Sequence, residues 1–158
     1  MLQAFKLNII PATLLTAIAS TTSLAAPPTN QLPTNGRVIA GQAEISQSGS
    51  TMLVNESTNR AVVNWDSFNV GINASVKFQQ PSTSAVILNR VTGNDSSQIY
   101  GQLTSNGQVY LVNTNGIYFS PTSSVNVGSF LASTLDIETN RFIMAICRSR
   151  EAIQKVQL

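Results

Sequence analysis

An all-β fold follows from three features of this 158-residue sequence. Short runs rich in Val and Ile recur along it, each bounded by Asn, Gly, Ser or Pro, the pattern of brief strands between tight turns. Before Asp136 there is no sustained 3.6-residue apolar period, and β-branched residues mixed with Gly and Asn disfavour helices. Hydrophobic residues make up 42 % of the chain and charged residues 10 %, a balance that builds a core rather than a disordered chain.

In chain order, residues 1–25 read as a secretory signal helix that is cleaved from the mature protein. Lys6 supplies the positive end, Leu7 to Ala19 the apolar stretch, and Ser23-Leu24-Ala25 a small-x-small site before Ala26. Pro11, Thr13 and Thr16 interrupt a run shorter than the roughly 20 apolar residues a membrane span needs. Residues 26–36, with Pro27-Pro28-Thr29-Asn30-Gln31-Leu32-Pro33, form a linker or N-terminal cap.

Strands are predicted at Arg37 to Ala40, Thr51 to Val54, Ala61 to Trp65, Ser75 to Phe78, Ala85 to Leu88, Gln108 to Val112 and Ser124 to Val127. An antiparallel sandwich and a parallel β-solenoid both accommodate such short strands. Asn106-Gly107 is a hairpin dipeptide, with Ile99 to Leu103 before it and Gln108 to Val112 after. The recurring Asn64, Asn69, Asn73, Asn89, Asn106, Asn113, Asn115 and Asn126 fit solenoid corners better, because their amides bond along a stack and the backbone tolerates αL. The two readings coexist if a solenoid carries an extra hairpin on one face.

The net charge of +2 and pI near 9.0 suggest a nucleic-acid partner only until the charges are located. Between Ala26 and Asn140 stand Arg37, Arg60, Lys77 and Arg90 against Glu44, Glu56, Asp66, Asp95, Asp136 and Glu138, a balance of −2. From Arg141 onward there are four cations against Glu151 alone. The basic excess belongs to a tail, so no phosphate-binding face and no nucleic-acid partner are expected. With no histidine and the single Cys147, neither an internal disulfide nor a Cys–His nucleophile can form. The acids are scattered, so no catalytic residues, metal site or cofactor are expected. An enzyme acting on polysaccharide would have to gather these acids in space.

Three segments carry a resemblance. Asn64-Trp65-Asp66-Ser67-Phe68-Asn69-Val70 precedes the strand Val76-Lys77-Phe78; Asn113-Thr114-Asn115-Gly116-Ile117 follows Ala85 to Gly93 with its Asn89-Arg90; and Ser129 to Ile137 comes third. In this order they resemble the N-terminal secretion domain of filamentous-haemagglutinin-type exoproteins, the two-partner secretion family, from about Leu32 to Ile137. Thr114 stands where the family motif usually has proline.

The resemblance implies a right-handed parallel β-helix over residues 37–137, incomplete relative to the family. It also implies export through the periplasm of a Gram-negative bacterium by the Sec machinery, then recognition by an outer-membrane β-barrel transporter of the TpsB type. Residues Asn113, Thr114, Asn115, Gly116 and Ile117 become the secretion motif, and Asn64, Trp65, Phe68, Asn69, Asn89 and Arg90 a secondary one. Independently of any family, Trp65 and Phe68 are expected in the core, where large aromatic area is worth most. The alternative is a small secreted or surface adhesin that binds host glycan or protein directly; the ligand on a host surface is not identified by sequence.

Beyond Asp136 the character changes. The tail at 138–158 has no Gly and contains the only Cys, and its Phe142, Ile143 and Ile146 follow a helical spacing. A broken reading frame or a gene remnant is expected there, a native cap over the last coil being the alternative. With coils of roughly 20 to 25 residues, about five are expected, ending in an open edge prone to association.

Overall fold

The computed structural model describes residues 25–144. Residues 1–24, which hold nearly all of the signal helix expected at 1–25, and residues 145–158, most of the tail, lie outside the described residues. Twelve strands occur in this range: β1 (Arg37–Ala40), β2 (Ala43–Ser48), β3 (Thr51–Glu56), β4 (Arg60–Trp65), β5 (Ser75–Gln79), β6 (Val86–Val91), β7 (Ser97–Ile99), β8 (Gln102–Ser105), β9 (Gln108–Val112), β10 (Ile117–Phe119), β11 (Ser124–Asn126) and β12 (Ser129–Ser133).

The strands stack as a parallel β-solenoid with three faces. One sheet has the order β2-β3-β5-β8-β11, a second the order β1-β4-β6-β9-β12, and the third face pairs β7 with β10, with Val70 bridged to Ile99. Thr51 pairs with Ser75, Ser75 with Gln102 and Gln102 with Ser124, so a coil takes 24, 27 and then 22 residues. That unequal step hides the period from the sequence. Among the described residues there are four coils rather than the five expected, because residues 28–48 are used to cover the first one.

Side-chain alternation along each strand turns the stack into interior ladders. Met52, Val76 and Leu103 align on the first sheet, Ala61, Ile87, Val109 and Phe130 on the second, and Val70, Ile99 and Phe119 on the third face. These residues belong to one apolar core. Trp65 and Phe68 lie within it, edge to face with ring centroids 5.6 Å apart, as expected of them.

The N-terminal residues run opposite to the coils. Thr29 and Gln31 accept from the amides of Asn73 and Gly71, Thr34 bridges Ser67, β1 is antiparallel to β4, and β2 is antiparallel to β3. Leu32 and Pro33 are buried, so residues 28–36 pack as part of a cap rather than a free linker, and the cap continues through Ser48. A Cβ on Gly71 would stand 2.2 Å from the Pro28 carbonyl oxygen, so only glycine permits this close approach. The cap removes a row of unpaired amides at this end of the sheets.

Of the two readings of Asn106-Gly107, the hairpin turn does not form and the solenoid corner does. β8 and β9 lie in different sheets, and neither Asn106 nor Gly107 has the positive φ a type I′ turn needs. The Asn106 amide instead bonds the backbone of Gln80 on the coil below, accepting from its N–H at 2.8 Å and donating to its carbonyl at 2.7 Å. An Asn-Gly pair therefore makes a solenoid corner here. The hairpin that does exist joins β2 to β3 through Gly49, at φ 58°. Strands β2, β7, β8, β10 and β12 are additional to those predicted; β7, β8 and β10 are short and β2 is largely polar. Residues 139–144 are helical, and Phe142 is buried against the outside of the second sheet, so the packed body runs past Ile137.

Candidate functional site

The segment Asn113–Ile117 is the corner between β9 and β10. Asn113 is fully buried; its amide nitrogen donates to the Asp95 carbonyl at 2.9 Å and to Ser97 Oγ at 3.0 Å, both on the preceding coil. Its side-chain oxygen accepts from the Asn115 N–H at 2.9 Å, an Asx turn, and its carbonyl accepts from the Gly116 N–H. Exposed Asn115 donates to the Gly93 carbonyl at 2.9 Å. Gly116 closes the turn at φ 106°, a conformation that disfavours any side chain, and Ile117 packs against the core. None of the named turn bonds uses Thr114, which explains why threonine can stand where proline is usual.

The secondary motif divides by face. Trp65 Nε1 donates to Asn89 Oδ1 at 3.0 Å inside the core, and the Asn89 amide nitrogen donates to the Tyr110 carbonyl. Asn89 is thereby satisfied at a position where an unpaired amide would be costly. Asn69 accepts from the Gln98 N–H at 2.8 Å and so joins the first coil to the second. Asn64 and Arg90 are register neighbours on the second sheet, and Asn64 Oδ1 is buried with no partner. Arg90 binds Asp136 at 2.7 Å and Thr139 at 3.0 Å, and also donates to the Ile137 carbonyl. Arg90, Thr114, Asn115 and Asp136 border one cavity of about 360 Å³, so the two motifs meet there. Ala25 and Ala26 are exposed and lie far along the chain from this corner.

A second polar column was not legible in the sequence. At the corner between the first two sheets, Gln80 donates to Glu56 Oε2 at 2.8 Å and accepts from Ser105 Oγ at 2.6 Å, linking three coils. Glu56 is 3 % exposed, and its Oε1 has no partner. Burial pushes its carboxyl up to about 7, partly opposed by the Gln80 hydrogen bond. Elsewhere Asp66 meets Arg37, Asp136 meets Arg90 and Glu138 meets Arg141. Among the described residues, no three His, Cys, Asp or Glu side chains gather in a way that could hold a metal.

A family model for the TPS secretion domain matches residues 25–154. The chain belongs to the TPS secretion domain family. Members of this family are secretion domains of exoproteins, not an enzyme family. Two curated relatives, both heme/hemopexin-binding proteins of Haemophilus influenzae, are 39 % identical over 134 residues and 36 % identical over 135. In each case the match takes 85 % of this chain and 14 % of the relative, so the chain spans about one seventh of those proteins. Among solved structures, the HMW1 secretion domain from Haemophilus influenzae aligns with TM-score 0.69 and 36 % identity, over 72 % of this chain and 30 % of that one. The TPS match agrees with the resemblance read from the three motifs and with the β-solenoid.

Proposed function

We propose that this chain is the export signal of a longer exoprotein, read in the periplasm of a Gram-negative bacterium by an outer-membrane β-barrel transporter of the TpsB type. On this reading the Sec machinery delivers the chain, residues 1–25 are removed after Ala25, and the product reaches the cell surface or the medium. Its part is recognition and folding; whatever the exoprotein binds belongs to residues beyond this domain.

The observation that carries the proposal is the Asn113–Gly116 corner. It presents Thr114 and Asn115 to solvent, yet its shape depends on bonds to the coil below. A transporter module can recognise such a corner only once two coils are stacked, which ties recognition to folding. Docking by strand addition fits β10, β11 and β12, which are sheet edges among the described residues.

The test is export of Asn113→Ala and Asn115→Ala chains from cells that express a TpsB-type transporter, read as extracellular against periplasmic protein. Both variants should accumulate in the periplasm, with loss of protease resistance in Asn113→Ala. Unchanged export and unchanged protease resistance in Asn115→Ala would refute the role of this corner.

A further inference from the structure

The two large sheets differ on their outer faces. On the first, Leu53, Lys77, Thr104 and Asn126 align, a mostly polar row suited to water. On the second, Ala40, Val62, Leu88, Tyr110 and Leu131 align, flanked by Val86 and Val112. A sheet that is apolar on both sides needs a cover.

Residues 136–142 supply it. Phe142 is 5 % exposed and rests on Val62, Val86, Leu88 and Val112, with its ring edge to face with Tyr110 at 5.9 Å. Two guanidinium groups hold the segment from below. Arg90 grips the side chains of Asp136 and Thr139 and the Ile137 carbonyl, while Arg60 donates to the Phe142 carbonyl and lies 5.0 Å over its ring. The connector from β12 passes through exposed Thr134 and through Leu135, 78 % exposed, so among the described residues this contact is what chiefly fixes the segment.

We propose that residues 136–142 are a strap, latched by Arg60 and Arg90, that closes over the second sheet only after the first three coils have stacked. The seat of Phe142 is divided among them: Arg60 and Val62 come from the first coil, Val86 and Leu88 from the second, Tyr110 and Val112 from the third. No single coil contains the site. The strap also follows all three in the chain, so a chain that assembles in order leaves this apolar face bare until the stack is in place. Closure then marks the stacking of these three coils and hides the apolar outer face of the second sheet. The inference uses the export reading only in taking the coils to assemble in chain order, and its test contains no transporter, so either can fail without the other.

Hydrogen exchange read by mass spectrometry on the full chain tests this. In R60A/R90A, and separately in F142A, peptides covering 136–142 should lose protection while those covering β4, β6 and β9 keep theirs, and binding of an apolar dye should rise. In pulse-labelled refolding of the unaltered chain, 136–142 should gain protection no earlier than 108–112. Unchanged protection of 136–142 in both variants would overturn the latch. Loss of protection in the three strands together with the strap, in both variants, would show that it is no separable element. Protection of the strap ahead of β9 would overturn the order of closure.

Discussion

Replacing Glu56 with glutamine should stabilise the protein at neutral pH and flatten its pH dependence. The carboxyl titrates near 7 in the folded chain, raised chiefly by burial, against 4.5 as its ordinary value. The folded state therefore holds a proton that the unfolded state has released between these pH values. Stability is full below 4.5, falls as pH rises through 7, and is flat above it. The difference corresponds to roughly 3 kcal/mol, most of which is lost between pH 5 and pH 8.

Because the chain has no histidine, that window is free of the side chain that ordinarily titrates in it. Glutamine keeps an acceptor for Gln80 and cannot ionise. Urea unfolding at pH 5 and pH 8 measures the effect. With a slope of about 1–3 kcal/mol per molar urea, the wild-type midpoint should fall by about 1–2 M across the window, and that of E56Q should barely move. A wild-type midpoint equal at both pH values, or the same fall in E56Q, would show that Glu56 is not held neutral by its burial.

Two further outcomes follow from the same geometry. W65F keeps most of the apolar area but deletes the Nε1 donor to Asn89, leaving a buried amide oxygen unpaired; a loss of roughly 1–3 kcal/mol in urea unfolding is expected, and a loss near zero would mean that water replaces the indole. The strands β10, β11 and β12 are edges among the described residues, and β11 and β12 contain no charge to guard them. Concentration-dependent association is therefore expected by light scattering, and a monodisperse monomer at high concentration would count against it.

The sequence by itself determined the all-β class, seven of the strands, the core aromatics and the motif corners, since each depends on neighbouring residues. Val and Ile runs favour extended backbone wherever they pack, and Asn113 can form its Asx turn with residues two and three positions on. Tertiary structure alone decided what sits above and below. Asn106-Gly107 became a corner because Gln80 lies 26 residues earlier on the coil beneath. Glu56, Gln80 and Ser105 meet for the same reason, and no local pattern marks one acid among seven for burial. Arg60 and Arg90 look like ordinary surface cations until Phe142 and Asp136 arrive 82 and 46 residues later. With coil steps of 24, 27 and 22 residues, such partners share no fixed spacing. Hydrogen bonds and burial act through space, so the chemistry of this molecule was assigned when the coils stacked.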